Sequence, residues 1–362
     1  MRLQWFIAQL YRKQIELNLE DIETMVLNLG NWLVKQKYIG NDVKTTNPPR
    51  EISTVYSFSL IGWINLYNLY KEKIFIERAE YCLNKLLKLQ QPDGSWLFPY
   101  EFRGNPAYHP YSCENFMTVK SLIKYYKSVE QRKEIAKSIK KNLDFLINRI
   151  GYKGGVFWYS PTDKIKVPNI SSMAANIFAQ AYPIFGEETY LQYAHAFADY
   201  CVNNQMADGA FPYFEGETTV YIPYHALEIW ELKEANTILR SENVEKSIQK
   251  AVTYMKSYLQ KYSYSSYNIQ RPLSYTYIIF KTPLWIAKAF LKTGDYISAL
   301  EHFSNAVYLF KVPNRPYFFY YLKALILQRK IIPLLPVFSS VFMRYNASCF
   351  EIGSELLRML KE

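Results

Sequence analysis

The chain has few of the residues that build disulfide-stabilised or metal-dependent proteins. Among its 362 residues there are only four cysteines and four histidines. Cys82, Cys113, Cys201 and Cys349 lie far apart, without the spacing of a zinc site or a disulfide framework. We interpret them as buried free thiols of a protein in a reducing compartment, and we predict no metal site and no cofactor.

Long apolar runs are also missing from the sequence. No segment reaches the roughly 18 uncharged apolar residues that a transmembrane helix needs. The opening stretch MRLQWFIAQLYRKQ has too short an apolar run for a signal peptide and no small-residue cleavage site. We therefore predict no transmembrane segment and a cytoplasmic location.

Acidic residues are outnumbered by basic ones, and the net charge is +11. Such an excess favours anionic partners, among them nucleic acid, anionic lipid and polyanionic sugar. The lysines are scattered along helix faces, however, without a long basic block or the motif of a known nucleic-acid reader. We therefore predict no nucleic-acid partner, and the sequence leaves the oligomeric state open.

Helical periodicity dominates what is present. Apolar residues recur three or four positions apart in almost every long segment, which indicates α-helix, and no useful stretch alternates like a strand. The helices come in pairs, a charge-poor first helix and a second helix richer in Lys and Glu. The first helices recur roughly every 50 to 60 residues. They are predicted to begin near Thr54, Ser112, Ser171, Tyr221 and Ile278.

Repeated helix pairs stack so that each pair buries the apolar face of its neighbour. They can form an open solenoid or a closed ring, and about six pairs with long loops after each second helix favour an all-α (α/α)6 toroid. We predict a single domain, with an N-terminal helical pair in 1–50, core hairpins in 51–312 and closing or capping helices in 313–362. A cleft is predicted where four long loops converge: 91–112, 150–170, 205–220 and 263–277.

An aromatic turn follows two of the second helices. It reads LKLQQPDGSW in one place and CVNNQMADGAF in another, and YKGGVFW is a looser third version. The first version resembles the Gln-x-x-x-Gly-x-Trp element of squalene- and hopene-cyclase-type toroids, which is structural in that group. The second version has Phe211 in place of the Trp, and the third lacks the Gln.

The residues that carry terpenoid chemistry in such toroids are absent from the sequence. It contains no Asp-x-Asp-Asp run to protonate a polyene and no Asp-Asp-x-x-Asp run to bind diphosphate through magnesium. It also lacks the Cys/His/Asp set of the zinc-dependent protein prenyltransferases and lanthionine cyclases. The turns therefore predict the fold and not the chemistry.

Over about residues 56–310 the sequence is more similar to toroid proteins of bacterial polysaccharide gene clusters. The similarity lies in QPDGSWLFPY, YHPYSCENFMTVKSLIKYYK, VPNISSMAANIFAQAY and PYHALEIWEL. Those proteins resemble the catalytic domain of glucuronyl C5-epimerases and, more distantly, six-hairpin glycosidases and unsaturated-uronyl hydrolases. The resemblance implies a sugar-binding cleft lined by the loops that precede the first helices.

The loop YEFRGNPAYHPYSCEN is the first candidate site. It ends in the first turn of a helix, where the dipole favours an anion, and it carries a histidine, which ordinarily titrates near neutrality. The predicted catalytic residues are His109 and Glu114. The predicted substrate contacts are Tyr100, Arg103, Tyr108 and Asn115. Alternatively, Glu114 caps the helix and the tyrosines pack its rim.

The stretch YFEGETTVYIPYHALEIW is the second candidate. On a helix starting near Tyr221, this residue shares one face with Tyr224, His225 and Glu228. The predicted catalytic residues are Tyr221, His225 and Glu228, as a proton-transfer set. The predicted substrate contacts are Tyr213 and Glu215. Alternatively, the face is a half-polar core surface in which His225 bonds a carbonyl group.

Two further segments supply predicted substrate contacts. Trp158 and Tyr159 could stack on the apolar face of a sugar ring, and Arg271 could pair with a carboxylate or phosphate. Arg271 could equally be a surface charge.

Three functions are compatible with these residues. The favoured one is a carbohydrate-active protein of polysaccharide biosynthesis, acting on an acidic or lipid-linked sugar by C5-epimerase-like proton abstraction. The second is a six-hairpin glycoside hydrolase or unsaturated-uronyl hydrolase, which needs a pair of carboxylates. The third is a non-catalytic toroid that binds a glycan or serves as a scaffold.

Overall fold

The computed structural model describes residues 18–38, 50–262, 276–310 and 335–362. A two-stranded antiparallel hairpin joins β1 (Tyr152–Lys153) to β2 (Val156–Phe157), and a π-helical turn, Leu146–Ile150, precedes it. The described residues form twelve α-helices: α1 (Leu19–Lys35), α2 (Ser53–Tyr70), α3 (Lys73–Leu89), α4 (Ser112–Ser128), α5 (Lys133–Phe145), α6 (Pro168–Phe185), α7 (Glu188–Asn204), α8 (Ile222–Leu239), α9 (Glu242–Tyr262), α10 (Thr276–Lys292), α11 (Tyr296–Phe310) and α12 (Leu335–Lys361).

The predicted helical pairs are confirmed. The five first helices, α2, α4, α6, α8 and α10, begin within three residues of the predicted positions. Short turns separate several of them from their second helices, with left-handed residues at Lys71, Gly186 and Arg240 that end the first helix and reverse the chain.

Burial separates the two kinds of helix. In α2 and α6, nearly every residue of the first three turns is buried, small polar ones such as Ser57 and Asn176 included. In α3 only one stripe is buried, and it includes Phe75, Cys82 and Leu86. Helices that are apolar on all sides belong inside a fold, and helices with one apolar stripe cover them.

The described residues divide into two compact units. The central unit comprises Tyr111–Phe116 and Asn142–His302, and the flanking unit comprises Ile15–Pro110, Met117–Lys141 and Phe303–Glu362. In the central unit, α8 packs against α6, α9 and α10, and α6 packs against α7. In the flanking unit, α12 packs against α1 and α2, and α2 packs against α3. A single domain over the whole chain stays a prediction.

Two glycines allow α12 to approach α1 and α2 closely. A Cβ atom at Gly62 would lie 2.5 Å from the Phe350 ring, and one at Gly30 would lie 2.8 Å from the same ring. Phe350 also meets Trp63 edge-on, with 4.6 Å between ring centroids. Through the Phe350 ring, α12 thus packs closely against α1, so the first and last helices of the described residues meet in the flanking unit.

A side-chain amide joins the first aromatic turn to the next second helix. Gln90 Nε2 donates to the carbonyl oxygens of Gly94 and Ser138, both at 3.0 Å. Ser138 Oγ donates back to Gln90 Oε1 at 2.7 Å. The buried Trp96 indole donates to Leu86 O at 2.9 Å. We call this arrangement the first glutamine turn.

The second aromatic turn repeats the arrangement in the central unit. Gln205 Nε2 donates to Gly209 O and Ser247 O, both at 2.9 Å. Ser247 Oγ donates back to Gln205 Oε1 at 2.8 Å. Phe211 is buried where the first turn has a tryptophan. We call this arrangement the second glutamine turn.

Candidate functional site

Five aromatic side chains of the central unit form a continuous run of ring contacts. Tyr213 lies 4.7 Å from Tyr221 and 4.9 Å from Tyr224, measured between ring centroids. Tyr224 lies 5.7 Å from Trp285, and Trp285 lies 5.5 Å from Trp230. We call this run the aromatic track. It leads from the loop before α8 into the interface of α8 and α10.

Burial increases along the aromatic track. The three tyrosines are half-buried, Trp285 is 7% exposed and Trp230 is 3% exposed. Tyr213 is held in the loop by its backbone N–H, which donates to Thr219 O at 2.9 Å. A ring run that is open at one end and closed at the other suits a ligand with apolar faces and polar edges, such as a sugar.

A buried carboxylate lies at the closed end of the aromatic track. Glu231 Oε1 accepts from the Trp230 indole at 2.7 Å, and Oε2 accepts from Asn176 Nδ2 at 2.5 Å. Lys288 Nζ lies 5.0 Å from the Trp230 ring centroid, within range of a cation–π interaction. Each Glu231 oxygen thus accepts one hydrogen bond from a neutral donor.

A second carboxylate shares the same amide. Asn176 Nδ2 also donates to Glu234 Oε2 at 2.8 Å, and Lys292 forms an ion pair with Glu234 Oε1 at 2.7 Å. Glu231 and Glu234 are three residues apart, which puts them on one side of α8. We call them the carboxylate pair. Together with Lys288 they supply a proton acceptor, a neighbouring acid or anion and a cation in one place.

Both ring nitrogens of His225 contact backbone groups. Its Nδ1 accepts from the Phe211 N–H at 3.0 Å, and its Nε2 lies 2.9 Å from Ala251 O. Burial lowers the pKa of His225 to about 4, so the ring is neutral at pH 7. Phe157 N–H donates in the same way to Ser171 Oγ at 3.1 Å. Because His225 and Ser171 are both the fourth residue of a first helix, this bond is a repeated structural feature.

Glu228 is buried in α8, three residues after His225. Its Oε2 has no hydrogen-bond partner within the described part of the chain. Burial raises the pKa of Glu228, which lies next to the buried thiol of Cys201. His225 and Glu228, which were predicted to form a proton-transfer set with Tyr221, therefore have separate surroundings. Tyr221 belongs to the aromatic track.

Glu215 bridges two elements of the central unit. Lys166 Nζ lies 2.8 Å from Glu215 Oε1, and the Tyr200 hydroxyl donates to Oε2 at 2.9 Å. The hydrogen bond from Lys166 lowers the pKa of the Glu215 carboxyl. Of the predicted set in this loop, Tyr213 and Tyr221 meet each other in the aromatic track, and Glu215 faces the helix that carries Tyr200.

Four predicted residues of the first loop belong to a short hairpin in the flanking unit. Tyr100 is buried, His109 is half-buried, and Tyr108 is 57% exposed with a left-handed backbone. Burial lowers the pKa of His109. Arg103 is exposed at the hairpin tip, in a turn closed by mutual backbone bonds between Phe102 and Asn105.

The other two predicted residues of this loop are buried in the first turn of α4, in the central unit. Asn115 Nδ2 donates to Tyr111 O, and its Oδ1 accepts from Asn142 Nδ2, both at 2.8 Å. Glu114 is 1% exposed. Asn115 occupies the fourth position of α4, as His225 does in α8, and it is likewise bonded to the next second helix.

Trp158 and Tyr159 are half-buried beside β2. Lys164 Nζ lies 5.6 Å from the Trp158 ring centroid, and Tyr159 meets Tyr111 at 5.7 Å. Arg271 lies outside the described residues. The role of every predicted site residue in binding or catalysis stays a prediction.

The residues at the closed end of the aromatic track escaped sequence reasoning. Asn176, Trp230, Glu231, Trp285 and Lys288 lie inside helices that were identified by their apolar character. A signal was available: α8 carries three glutamates at intervals of three residues, and α10 carries two lysines four apart. Charges inside otherwise apolar first helices indicate a paired, buried polar group.

Two further predictions were that the cysteines are free thiols and that the chain has no transmembrane segment. All four cysteines are free thiols, three of them buried and Cys113 half-buried. No helix in the described ranges has both the length and the apolar character needed to span a membrane.

Comparison with known proteins identifies the fold. No family model matches the chain, and no curated protein is similar to it in sequence. A cellobiose 2-epimerase from Spirochaeta thermophila is similar in structure, with a TM-score of 0.58 at 10% identity over 86% of this chain and 87% of the other. A GH76 α-mannanase from Bacteroides thetaiotaomicron has a TM-score of 0.57 at 14% identity, covering 86% and 88%. A sugar epimerase from a ruminal bacterium has a TM-score of 0.55 at 13% identity, covering 72% and 76%.

These likenesses confirm the predicted fold class. The structural neighbours are (α/α)6 toroid enzymes, and this chain shares their alternating helices with almost no strand among its described residues. The chain therefore has an all-α fold of the (α/α)6 toroid class.

Proposed function

We propose that the protein is a carbohydrate-active enzyme and that the aromatic track binds its sugar. The observation that carries the proposal is the aromatic track ending at Glu231, with Lys288 over the Trp230 ring. Aromatic rings can hold the apolar faces of a sugar, and a carboxylate beside a cation can move a proton at its polar edge. The fold is in keeping with this proposal, because the structural neighbours named above act on sugars.

For the reaction we propose C5-epimerase-like proton abstraction from an acidic sugar, in polysaccharide assembly. The Glu231 carboxylate takes the proton next to the sugar carboxylate, and the electron pair of the broken C–H bond moves into an enediolate. The Lys288 ammonium group stabilises that negative charge. A tyrosine hydroxyl of the aromatic track returns a proton from the other face, which inverts the carbon. The resemblance of the sequence to toroid proteins that are themselves similar to the catalytic domain of glucuronyl C5-epimerases supports this version.

Exchange with solvent deuterium tests the proposal. The purified protein is incubated in deuterated water with uronic-acid oligosaccharides, and NMR measures deuterium at C5. We expect incorporation by the wild type and at least a 100-fold slower rate for Glu231→Gln, because the amide cannot accept the proton. Glu217→Gln, at an exposed position of the loop before α8, is the matched control and should retain the wild-type rate. Absence of exchange in the wild type would exclude the epimerase reaction.

Glycoside hydrolysis is a second candidate, favoured by one observation. Glu231 and Glu234 both accept from Asn176 Nδ2, so two carboxylates lie close together at the end of the aromatic track. Retaining and inverting hydrolases use such a pair as acid and nucleophile or base. Release of new reducing ends without deuterium exchange would identify this reaction, and loss of activity in both Glu231→Gln and Glu234→Gln would assign it to the pair.

A binding protein without catalysis would behave differently in the same experiment. It would retain sugar affinity without exchange or hydrolysis. Trp285→Ala should then weaken binding by at least tenfold, because a buried ring of the aromatic track is removed, while Glu231→Gln should leave affinity within a few-fold.

A further inference from the structure

Two arginines of the flanking unit stack on neighbouring aromatic rings. The Arg50 Cζ atom lies 5.2 Å from the ring centroid of Tyr100, and the Arg344 Cζ atom lies 5.3 Å from that of Phe98. The two rings touch each other, with 5.6 Å between centroids. We call these four residues the arginine–aromatic cluster.

Three separate segments build this cluster. Arg50 precedes α2, Arg344 belongs to α12, and the two rings lie on the hairpin that follows α3. Phe98 N–H donates to His109 O at 3.0 Å, and Tyr108 N–H donates to Phe98 O at 2.7 Å, which fixes the hairpin. Arg50 Nη1 donates to Pro99 O at 2.8 Å and holds its guanidinium group against the hairpin.

Among the residues that the structure describes, no carboxylate forms an ion pair with Arg50. Glu51, the next residue, accepts instead from Lys85 at 2.7 Å and from the Tyr56 hydroxyl at 2.6 Å. A guanidinium group that lies over a ring still has N–H groups that suit a carboxylate or phosphate.

An exposed ring lies beside the cluster. Phe102 meets Phe98 edge-on at 6.1 Å and is 39% exposed. Exposed aromatic rings on rigid hairpins are suited to the apolar face of a sugar ring. Two arginines over neighbouring rings, with an exposed ring in contact with one of those rings, therefore favour a ligand that combines an anionic group with a pyranose.

We propose that the arginine–aromatic cluster is a binding site for an acidic sugar. Arg50 and Arg344 bind the anionic group, a carboxylate or a phosphate, and Phe102 stacks on the sugar ring. The inference rests on the proposed function only in taking the ligand to be a sugar, since none of these residues belongs to the aromatic track. Anionic ligands should bind here more tightly than neutral sugars of the same size.

Calorimetric titration of the full chain tests this site. The probes are digalacturonate, glucose 6-phosphate, the neutral sugar cellobiose and inorganic phosphate. We expect at least a tenfold preference for one of the two acidic sugars over both cellobiose and inorganic phosphate, lost progressively as salt is added. The preferred probe shows whether the anionic group is a carboxylate or a phosphate.

Matched arginine variants assign the binding to the cluster. Arg50→Gln and Arg344→Gln should each weaken binding of the preferred acidic sugar by at least tenfold. Arg149→Gln removes the same charge from an exposed position and should change affinity less than twofold. Arg50→Lys keeps the charge but not the planar fork, so it should recover only part of the affinity. Equal losses in all three Gln variants would overturn the proposal, because they would show only an effect of net charge.

Hydrogen exchange on the wild type gives a result even where a variant does not fold. The acidic sugar should slow amide exchange in the segment 97–109, and cellobiose should not. No protection of this segment at saturating ligand would overturn the proposal. Glu231→Gln should retain both the binding and the protection. The catalytic proposal can therefore fail while this binding site is confirmed, and this site can fail while the catalytic proposal is confirmed.

Discussion

The first and second glutamine turns perform the same task with different aromatic residues. In both, a glutamine amide bridges a glycine carbonyl and a serine carbonyl of the next second helix, and the serine hydroxyl returns a bond. The first turn adds the indole bond from Trp96 to Leu86 O. The second turn has Phe211, whose ring cannot donate, and its backbone N–H is accepted by His225.

The difference shows which features the turn requires. Glutamine, glycine and serine form its hydrogen bonds, whereas the aromatic residue fills volume and can be Trp or Phe. His225 belongs to this structure because it accepts a backbone N–H, as Ser171 does beside Phe157. The predicted catalytic residue His225 thus also has a structural role in the second glutamine turn.

Removing the ring of the first glutamine turn should have the largest effect. Trp96 is fully buried, so Trp96→Ala should lower the free energy of unfolding by about 4 kcal/mol through lost burial and a cavity. Trp96→Phe makes the first turn like the second and should cost only about 1 to 2 kcal/mol, mainly for the indole bond. Urea denaturation measures both. Equal losses would show that the indole bond, and not ring volume, dominates.

Glycine in the second glutamine turn should be the next most sensitive position. Gly209 has a φ of +92°, and a Cβ atom there would lie 2.6 Å from Lys250 O. Gly209→Ala should cost about 3 kcal/mol, from backbone strain and the forced shift of a neighbouring helix.

Gly216 provides the matched control for that variant. Its φ is +80°, but a Cβ atom there would meet nothing within 4 Å. Gly216→Ala should cost only the strain, about 1 kcal/mol, in the same denaturation experiment. If both variants lose the same stability, the close approach to Lys250 does not contribute.

Acid should destabilise the second glutamine turn. The pKa of His225 in the folded protein is lowered to about 4, so the unfolded chain binds more protons than the native protein below about pH 6.5. The stability from the neutral ring is complete above that pH and is lost as the pH falls towards 4. The loss should be roughly 2 to 3 kcal/mol, measured as unfolding free energy against pH.

Histidine variants separate this effect from general acid unfolding. His225→Asn places at the fourth position of α8 the residue that α4 has there, Asn115, and should flatten the slope between pH 6.5 and pH 4. His195→Gln, on α7, should leave the slope unchanged. An unchanged slope in His225→Asn would assign the acid sensitivity to other groups.

Loss of the bridging amide should have a smaller effect than Trp96→Ala or Gly209→Ala. Gln90→Ala and Gln205→Ala each leave a glycine and a serine carbonyl without their donor, so each should cost about 2 kcal/mol. The two losses should be similar and should add in the double variant, because the turns lie in different units. Calorimetric unfolding compares the three proteins. A much larger loss at one position would show that the turns are not equivalent.

The fold was accessible from the sequence because its signals are local. Helical periodicity and the contrast between charge-poor and charge-rich helices placed the first helices to within three residues. The aromatic turns were found from the same local patterns, since Gln90 and Gly94, or Gln205 and Gly209, are only four residues apart. The hydrogen bonds from these glutamines to Ser138 and Ser247 could not be found from local patterns, because those serines lie more than 40 residues further along the chain.

The candidate site was only partly accessible. Tyr221 was singled out because it shares a helix face with Tyr224, and Tyr213 because it lies in the loop before that helix. Both form part of the aromatic track. Glu231 and Lys288 were missed because each lies inside an apolar helix, and only packing of α8 against α6 and α10 gives them their polar partners. The helical spacing that grouped His225 with Glu228 was correct, but a helix packed on several sides sends neighbouring side chains into different surroundings.

By itself, the sequence determined the helical pairs, their repeat, the positions of the turns and the supply of aromatic and basic side chains. These follow from backbone propensities and the 3.6-residue period, which act over a few residues. Only the tertiary structure decided which carboxylate shares an amide with its neighbour, which histidine is occupied by backbone groups and which arginines stack on rings. Each of those contacts joins segments that are distant in the chain, so it depends on how the helices pack and leaves no periodic signal in the sequence.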